Sequence, residues 1–89
     1  MKTVNFSTHA RLQMEIRGAG ESEVISTIRS ETWETAKRGK LQSRHRFDFN
    51  RLSPINQKLY KYKTVEAVFT EESERIVVIT VKVYYSNKE

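Results

Sequence analysis

Residues 75–85, with the sequence RIVVITVKVYY, carry the strongest strand pattern in this chain. Successive side chains of a β-strand point to opposite faces, so apolar residues at every second position predict a strand with one buried face. The even positions are mixed, and we expect this strand at or near the centre of a sheet. The odd positions after Arg75 are all apolar or aromatic: Val77, Ile79, Val81, Val83 and Tyr85.

Two earlier segments also alternate with a period of two. A long strand is predicted from Leu59 to about Thr70, and the polar residues 71–74 predict a hairpin turn into the last strand. Another strand is predicted from Leu41, and residues 50–57 connect the two. In that strand one face carries Leu41, Ser43, His45, Phe47 and Phe49, and the other face carries Arg44, Arg46 and Asp48.

Two short helices are predicted before the strands. Ser7 is a favourable N-cap for a helix that runs to about Arg17, because its hydroxyl can accept a hydrogen bond from the first turn. Residues 18–20, GAG, end that helix, since glycine adopts the left-handed conformation without steric cost. Gly20 also begins a second helix. Acidic residues near its start, Glu21 and Glu23, favour the positive end of the helix dipole.

Residues 30–40 fit two alternatives. Glu31 to Arg38 form either a helical turn with Trp33 and Ala36 packed inward, or a loop. Helices followed by meandering strands predict an α+β fold. We therefore expect one domain over residues 1–89, with two short helices packed on one face of an antiparallel sheet of three to four strands.

Composition limits the classes of function. The 89 residues contain no cysteine, which excludes disulfides and thiolate metal sites. The chain begins without the apolar stretch of a signal peptide, and its longest apolar run, residues 76–83, is interrupted and too short to span a bilayer. These features predict a cytoplasmic protein that contacts no membrane, and nothing in the sequence indicates a metal or another cofactor.

The net charge of +5 is distributed unevenly along the chain. Residues 37–63, the basic segment, contain nine Lys or Arg against one acid, Asp48, which gives +8. The remaining seven basic and ten acidic residues give −3. Such an imbalance is typical of a surface that faces phosphates or an acidic protein. It also fits a solvated pair of strands with a lysine-protected edge.

The first predicted helix carries a polar stripe within its apolar side. At about 100° per residue, His9, Gln13 and Arg17 recur at i, i+4 and i+8 in the middle of an apolar arc. Buried polar groups need hydrogen-bond partners. The stripe therefore forms either a network to the sheet and helix ends, or the lining of a cleft in which chemistry takes place. The arc itself runs from Leu12 and Ile16 through Phe6 to Ala10 and Met14.

Residues 6–18, FSTHARLQMEIRG, resemble the opening of a bacterial and archaeal family of domains of unknown function. Members of that family begin F-S-x-H-A-x-x-R-M-x-E-R-G-I and end in strands with a V-V-T-V-Y-like stretch, which residues 77–81 and Tyr84 resemble. Gln13 stands where the family has arginine, and Ile16 where it has glutamate. These departures impair the protein if both positions are catalytic, and only repack it if they are structural.

That family is similar in layout to small ribonuclease toxins of the BrnT and RelE kind, in which N-terminal helices precede a curved antiparallel sheet. The resemblance implies a metal-independent RNA endonuclease. It also implies a partner that neutralises the enzyme, an acidic antitoxin-like protein.

Metal-free RNA cleavage needs a base, an acid and cations around the phosphate. Histidine can fill either proton-transfer role and arginine binds phosphate, so the predicted catalytic set is His9, Arg17 and His45. Arginines 44 and 46 alternate with His45 along one strand, so one site cannot readily use all of them. Tyrosines can stack on bases. The predicted nucleic-acid-binding set is Arg44, Arg46, Lys61, Lys63 and Tyr84.

Several functions of different classes fit these residues. One is a toxin-like RNA endonuclease, and another is a non-catalytic module that binds RNA or an acidic protein through the basic segment. A third is an inert structural partner that pairs through a sheet edge. Helix-turn-helix DNA binding is excluded, because Glu21 and Glu23 in the second helix would repel the phosphates beside a major groove.

Overall fold

The computed structural model describes residues 2–88. Its strands form one five-stranded sheet in the order β1-β5-β4-β3-β2. The first strand runs parallel to the last, and all other neighbours are antiparallel. The elements are β1 Thr3–Phe6, α1 Thr8–Arg17, α2 Glu21–Ser30, β2 Glu34–Thr35, a 3₁₀ turn at Lys37–Gly39, β3 Leu41–Leu52, β4 Leu59–Glu71 and β5 Arg75–Ser86.

The predicted α+β class and the three long strands are confirmed, but the sheet is larger than predicted and mixed. The sequence pattern missed β1, because four residues with only Val4 and Phe6 facing inward give too short an alternation. It also missed β2, whose two residues are both exposed. Residues 30–40 therefore hold a short strand and a 3₁₀ turn. Trp33 does pack inward, edge-on to Phe69 at a ring distance of 5.1 Å.

The predicted helix ends are confirmed. Ser7 Oγ accepts a hydrogen bond from the Ala10 N–H at 3.0 Å. Gly18 ends α1 with φ at 84°, and a Cβ there would lie 2.8 Å from Pro54 Cγ, so both its conformation and its surroundings require glycine. Gly20 begins α2, and its N–H donates to the Glu23 carboxylate at 2.9 Å.

Both helices pack on one face of the sheet, the covered face. Ser43 Oγ on this face donates to the Thr27 carbonyl of α2 at 3.0 Å. Burial of the apolar residues here supplies most of the driving force for folding. The buried core comprises Ala10, Met14, Ala19, Val24, Ile28, Val65, Ala67, Phe69, Ile76, Val78 and Val81. No helix within residues 2–88 is long and apolar enough to span a membrane.

The face assignment within β5 differs from the prediction. Phe69 pairs with Val78 and Val68 pairs with Thr80, which leaves Ile79 as an extra residue in β5. A bulge of this kind changes which parity of residues points inward. Ile76 and Val78 are therefore buried before the bulge and Val81 after it, so the odd positions do not share one face along the whole strand.

The apolar arc predicted for α1 is also shifted. Ala10 and Met14 are buried and face the sheet, whereas the side chains of Leu12 and Ile16 are 54% and 61% exposed. The opposite flank faces α2, since Arg11 bonds Glu21 at 2.8 Å. Leu12 and Ile16 therefore lie on the flank away from α2.

Candidate functional site

The second face of the sheet, the open face, lies opposite the helices. Cross-strand pairing of β3, β4 and β5 places its residues in rows that run across the three strands. Polar and charged side chains predominate in these rows. They are Gln42–Val68–Thr80, Arg44–Glu66–Lys82, Arg46–Thr64–Tyr84 and Asp48–Tyr62–Ser86.

An ion pair occupies the centre of the open face. Arg44 donates to the Glu66 carboxylate from Nε at 3.0 Å and from Nη2 at 2.5 Å. The Glu66 side chain is 7% exposed, whereas that of Arg44 is 61% exposed. The hydrogen bond from Arg44 to Glu66 raises the pKa of the guanidinium further above its already high range. The carboxylate of the pair is thus buried, and the guanidinium faces solvent.

Two arginines lie over tyrosine rings on this face. The Arg44 guanidinium carbon is 5.8 Å from the centre of the Tyr84 ring, and that of Arg46 is 4.5 Å from the centre of the Tyr62 ring. Cation–π contacts of this kind place a guanidinium over the face of an aromatic ring. Tyr84 is 47% exposed. The open face therefore presents two arginine–tyrosine pairs.

A depression of about 280 Å³ lies on the same face, at the Gln42–Val68–Thr80 row. Val68 and Thr80 line it, and Gln42 contributes an amide that can both donate and accept hydrogen bonds. Its remaining lining residues are Ala36, Lys37 and Lys82. Acidic residues also border the open face, since Glu34 pairs with Gln42 and Asp48 with Tyr62.

The fold disperses the basic segment. Arg44, Arg46 and Tyr84 of the predicted nucleic-acid-binding set share the open face. Lys63 instead lies on the covered face, 5% exposed, where its Nζ bonds Glu23 at 2.8 Å and the Gly18 carbonyl. Lys61 is exposed near the start of β4, where its N–H bonds the Asn87 side chain.

The predicted polar stripe of α1 has a structural task along the edge of β5. Gln13 accepts from the Val81 N–H at 2.8 Å, and Arg17 donates to the Val81 carbonyl at 2.8 Å. The hydrogen-bond network is thus found for these two residues. His9 is exposed on the same helix. The two residues that depart from the pattern of the resembled family lie in different surroundings. Gln13 bonds the sheet edge, and Ile16 faces solvent.

His45 lies apart from His9 and Arg17. It is on β3, and β4 separates that strand from β5, so the backbones are about 10 Å apart. Helix α2 also packs between them, over β3 and β4. The structure therefore does not bring His9, Arg17 and His45 into one cleft.

His45 has a partner that sequence reasoning missed. Its Nδ1 contacts the carboxylate of Glu31, and its ring is edge-on to Phe47 at 4.7 Å. Both partners are about one third exposed, at 33% for the His45 side chain and 38% for Glu31. A carboxylate on one ring nitrogen orients the imidazole and leaves the other nitrogen for a ligand. Glu31 follows directly after α2, in the segment whose structure was ambiguous.

A cavity of about 650 Å³ adjoins the Glu31–His45 pair, since Glu31 is among its lining residues. Ile28, Trp33 and Ile76 contribute its apolar lining, and the Lys2–Glu71 ion pair lies at its rim. It contains none of the predicted site residues. Within residues 2–88 no group of three or more His, Cys, Asp or Glu is arranged to hold a metal ion.

Comparisons of the chain with protein-family models, with curated proteins and with solved structures found no match. The function is therefore argued from the geometry of the open face and of the Glu31–His45 pair.

Proposed function

We propose that the protein binds single-stranded RNA on the open face of its sheet. The observation that supports this proposal is the pair of arginine–tyrosine contacts, Arg44 over Tyr84 and Arg46 over Tyr62, on a sheet face that the helices leave uncovered. Bases of a single strand can stack on both kinds of group, whereas the bases of a duplex are already stacked.

Electrostatics support the same assignment. Arg44, Arg46 and Lys82 are exposed, and the carboxylate among them, Glu66, is covered. A phosphate approaching from solvent therefore meets the cations first. The depression beside Lys82 can hold a base, with the Gln42 amide in reach of its edge.

The test is binding of a fluorescently labelled single-stranded RNA of mixed sequence, measured by anisotropy over a series of salt concentrations. We expect Arg46→Glu and Lys82→Glu each to weaken binding about tenfold or more, and each lost phosphate contact to reduce the salt slope by about 0.7. Arg44 is left intact in this test, because its removal would leave Glu66 buried without its partner.

Lys58→Glu is the matched control. It makes the same change in net charge at an exposed lysine in the β3–β4 connection, away from the open face. An equal loss of affinity in Lys58→Glu would show that only net charge matters and would contradict a site on the open face. Absence of RNA binding by the unmodified protein at low salt would do the same.

Stacking makes a second, separable contribution. Replacing Tyr84 by leucine removes a flat ring while an apolar side chain remains, and we expect affinity for RNA to fall by about 1–2 kcal/mol. Tyr84→Phe keeps the ring and should retain most of the affinity. Equal losses in both variants would indicate a role for the hydroxyl in place of stacking.

RNA cleavage is the second candidate function, and the Glu31–His45 contact favours it. A carboxylate that orients an imidazole is a common arrangement for general acid–base catalysis. His45 lies between Arg44 and Arg46 in sequence, although its side chain projects from the covered face. An RNA strand that passes over the free edge of β3 can contact both sides of the sheet there.

Cleavage is tested by incubating the protein with RNA in EDTA and mapping new 5′ ends. Loss of cleavage in His45→Ala and Glu31→Gln, with activity kept in His9→Ala, would support the Glu31–His45 pair. Loss only in His9→Ala would place the chemistry on α1. RNA that is bound but uncut by the unmodified protein would leave the binding function alone.

A further inference from the structure

The outer edge of β5 is only partly paired. β1 runs beside β5 from Arg75 to Val78 and ends where α1 begins. The side chains of Gln13 and Arg17 then take the place of a strand at Val81. After Val81, no strand within residues 2–88 lies beside β5 on this side.

The direction of the backbone groups beyond Val81 follows from the sheet pairing. Both backbone groups of Val81 point outward, to α1. In an antiparallel pair, every second residue turns its N–H and C=O away from its neighbour. The pairing of β5 with β4 is regular from Val81 to Ser86, so Val83 and Tyr85 also direct both groups outward. This edge offers the donors and acceptors that another strand needs.

Apolar and basic side chains surround this edge. Ile16 lies one turn from Gln13 on the outer flank of α1, with Leu12 beside it, and both are more than half exposed. A depression of about 260 Å³ runs along the edge and is lined by Arg17, Lys82, Val83 and Tyr84. Its charged lining residues are both positive. Isolated exposed leucines are ordinary, but here apolar side chains adjoin unpaired backbone.

We propose that the edge of β5 from Val83 to Tyr85 binds an extended segment of another protein, in which apolar and acidic side chains alternate. In such β-augmentation the backbone ladder supplies affinity and alternate side chains supply specificity. Residues of the segment opposite Val83 lie on the covered side, toward Ile16, where an apolar side chain fits. Residues opposite Lys82 and Tyr84 lie on the open side, where an acidic side chain meets a cation.

A second copy of this chain fits the edge poorly. Pairing two β5 edges brings Lys82 and Arg17 of one chain toward those of the other, and each chain carries a net charge of +5. The part of the β3 edge that lies beyond β2 is also less suitable. Its pairing with β4 is irregular between Asp48 and Arg51, with Asn50 at a φ of 51°. Such irregularities discourage the addition of a strand.

The test uses a synthetic peptide of alternating valine and glutamate and measures amide hydrogen exchange by NMR. We expect the Val83 and Tyr85 amides to exchange quickly in the free protein and to become protected when the peptide is added. The Val81 amide, already bonded to Gln13, is the internal control and should change little. The same peptide with methylated backbone nitrogens cannot form the ladder, and its affinity should be lower by a factor of about ten or more.

Two variants separate the contributions. Val83→Pro removes the outward N–H without removing a bond to β4, and we expect it to abolish protection of Tyr85. Ile16→Asp removes the apolar contact and repels an acidic segment, and should weaken peptide binding about tenfold. Its matched control is Leu59→Asp, because Leu59 is equally exposed but lies near the β3–β4 connection.

Several outcomes would overturn the proposal. One is that the Val83 and Tyr85 amides are already protected in the free protein. Another is that a valine–lysine peptide binds more tightly than the valine–glutamate peptide. Equal loss of binding in Ile16→Asp and Leu59→Asp would have the same meaning. Protection that rises with protein concentration alone, together with a dimer mass in sedimentation, would identify a second copy as the occupant instead.

Discussion

Lys63 on the covered face and Arg44 on the open face each form an ion pair with a neighbouring element, and the two pairs are built in opposite ways. On the covered face Lys63 is 5% exposed and binds Glu23 of α2. On the open face the carboxylate of Glu66 is buried, and the Arg44 side chain is 61% exposed. The first pair buries its cation, and the second presents its cation to solvent.

This difference indicates different roles. Lys63 also bonds the Gly18 carbonyl, so its ammonium joins β4 to the junction of α1 and α2. A cation used in this way is not available to a ligand. Arg44 is held in place from below by Glu66 while most of its surface stays accessible. Arg44 and Lys63 both belong to the basic segment, so their position in the sequence does not separate the two roles. The face of the sheet to which each side chain points does separate them.

The largest effect is expected on the covered face. Lys63→Ala should lower the free energy of unfolding by about 2–3 kcal/mol, because Glu23 and the Gly18 carbonyl lose their partner. This is less than for a fully buried pair, since the Glu23 side chain is 28% exposed. Urea unfolding followed by circular dichroism measures the change.

Lys61→Ala is the control for that prediction. It removes the same side chain from an exposed position two residues earlier and should change stability by less than about 0.5 kcal/mol. Lys63→Met keeps the apolar stem and should fall between the two. If Lys63→Ala were as stable as Lys61→Ala, the buried pair would contribute nothing, and the contrast between the faces would fail.

An intermediate effect is expected for the open face, and it should be asymmetric. Arg44→Ala leaves the covered Glu66 carboxylate without its partner and should cost about 1–2 kcal/mol. Glu66→Gln leaves a solvated arginine and should cost less than about 1 kcal/mol. A double-mutant cycle by urea unfolding measures the coupling. Equal costs for the two single variants would show that Glu66 is better solvated than its burial indicates.

Much of the fold could be predicted from sequence because its signals are local. The N-cap at Ser7, the glycine at the end of α1 and the alternation along β3 each depend on a few adjacent residues. The bulge at Ile79 could not be predicted, since residues 76–79 are all β-branched and apolar and both parities look buried. Leu12 and Ile16 misled the prediction for α1 in the same way, because they are apolar yet exposed.

The candidate site was harder to predict because it depends on strand pairing. Alternation placed Arg44 and Arg46 together on one side of β3. It could not show that Lys63 bonds a carboxylate of α2 on the covered face, or that Glu66 on the next strand accepts hydrogen bonds from Arg44. The Glu31–His45 contact joins a residue after a helix to a strand, and no local pattern encodes it.

The smallest effect concerns Tyr85, whose hydroxyl donates to the Arg17 carbonyl at 2.6 Å under the covered face. Burial raises the pKa of this phenol above its ordinary value near 10, and the negative charge of Glu23 raises it further. The unfolded chain therefore loses this proton first, so the contribution of Tyr85 to stability is complete below about pH 10 and is lost as the pH rises toward its folded pKa.

Tyr85→Phe should cost about 0.5–1 kcal/mol at neutral pH and make stability less steeply dependent on pH above 10. Tyr84→Phe, on the open face, is the matched control and should retain the alkaline loss of stability. Urea unfolding at a series of alkaline pH values measures both, and identical pH profiles for the two variants would show that burial of Tyr85 does not control its ionisation.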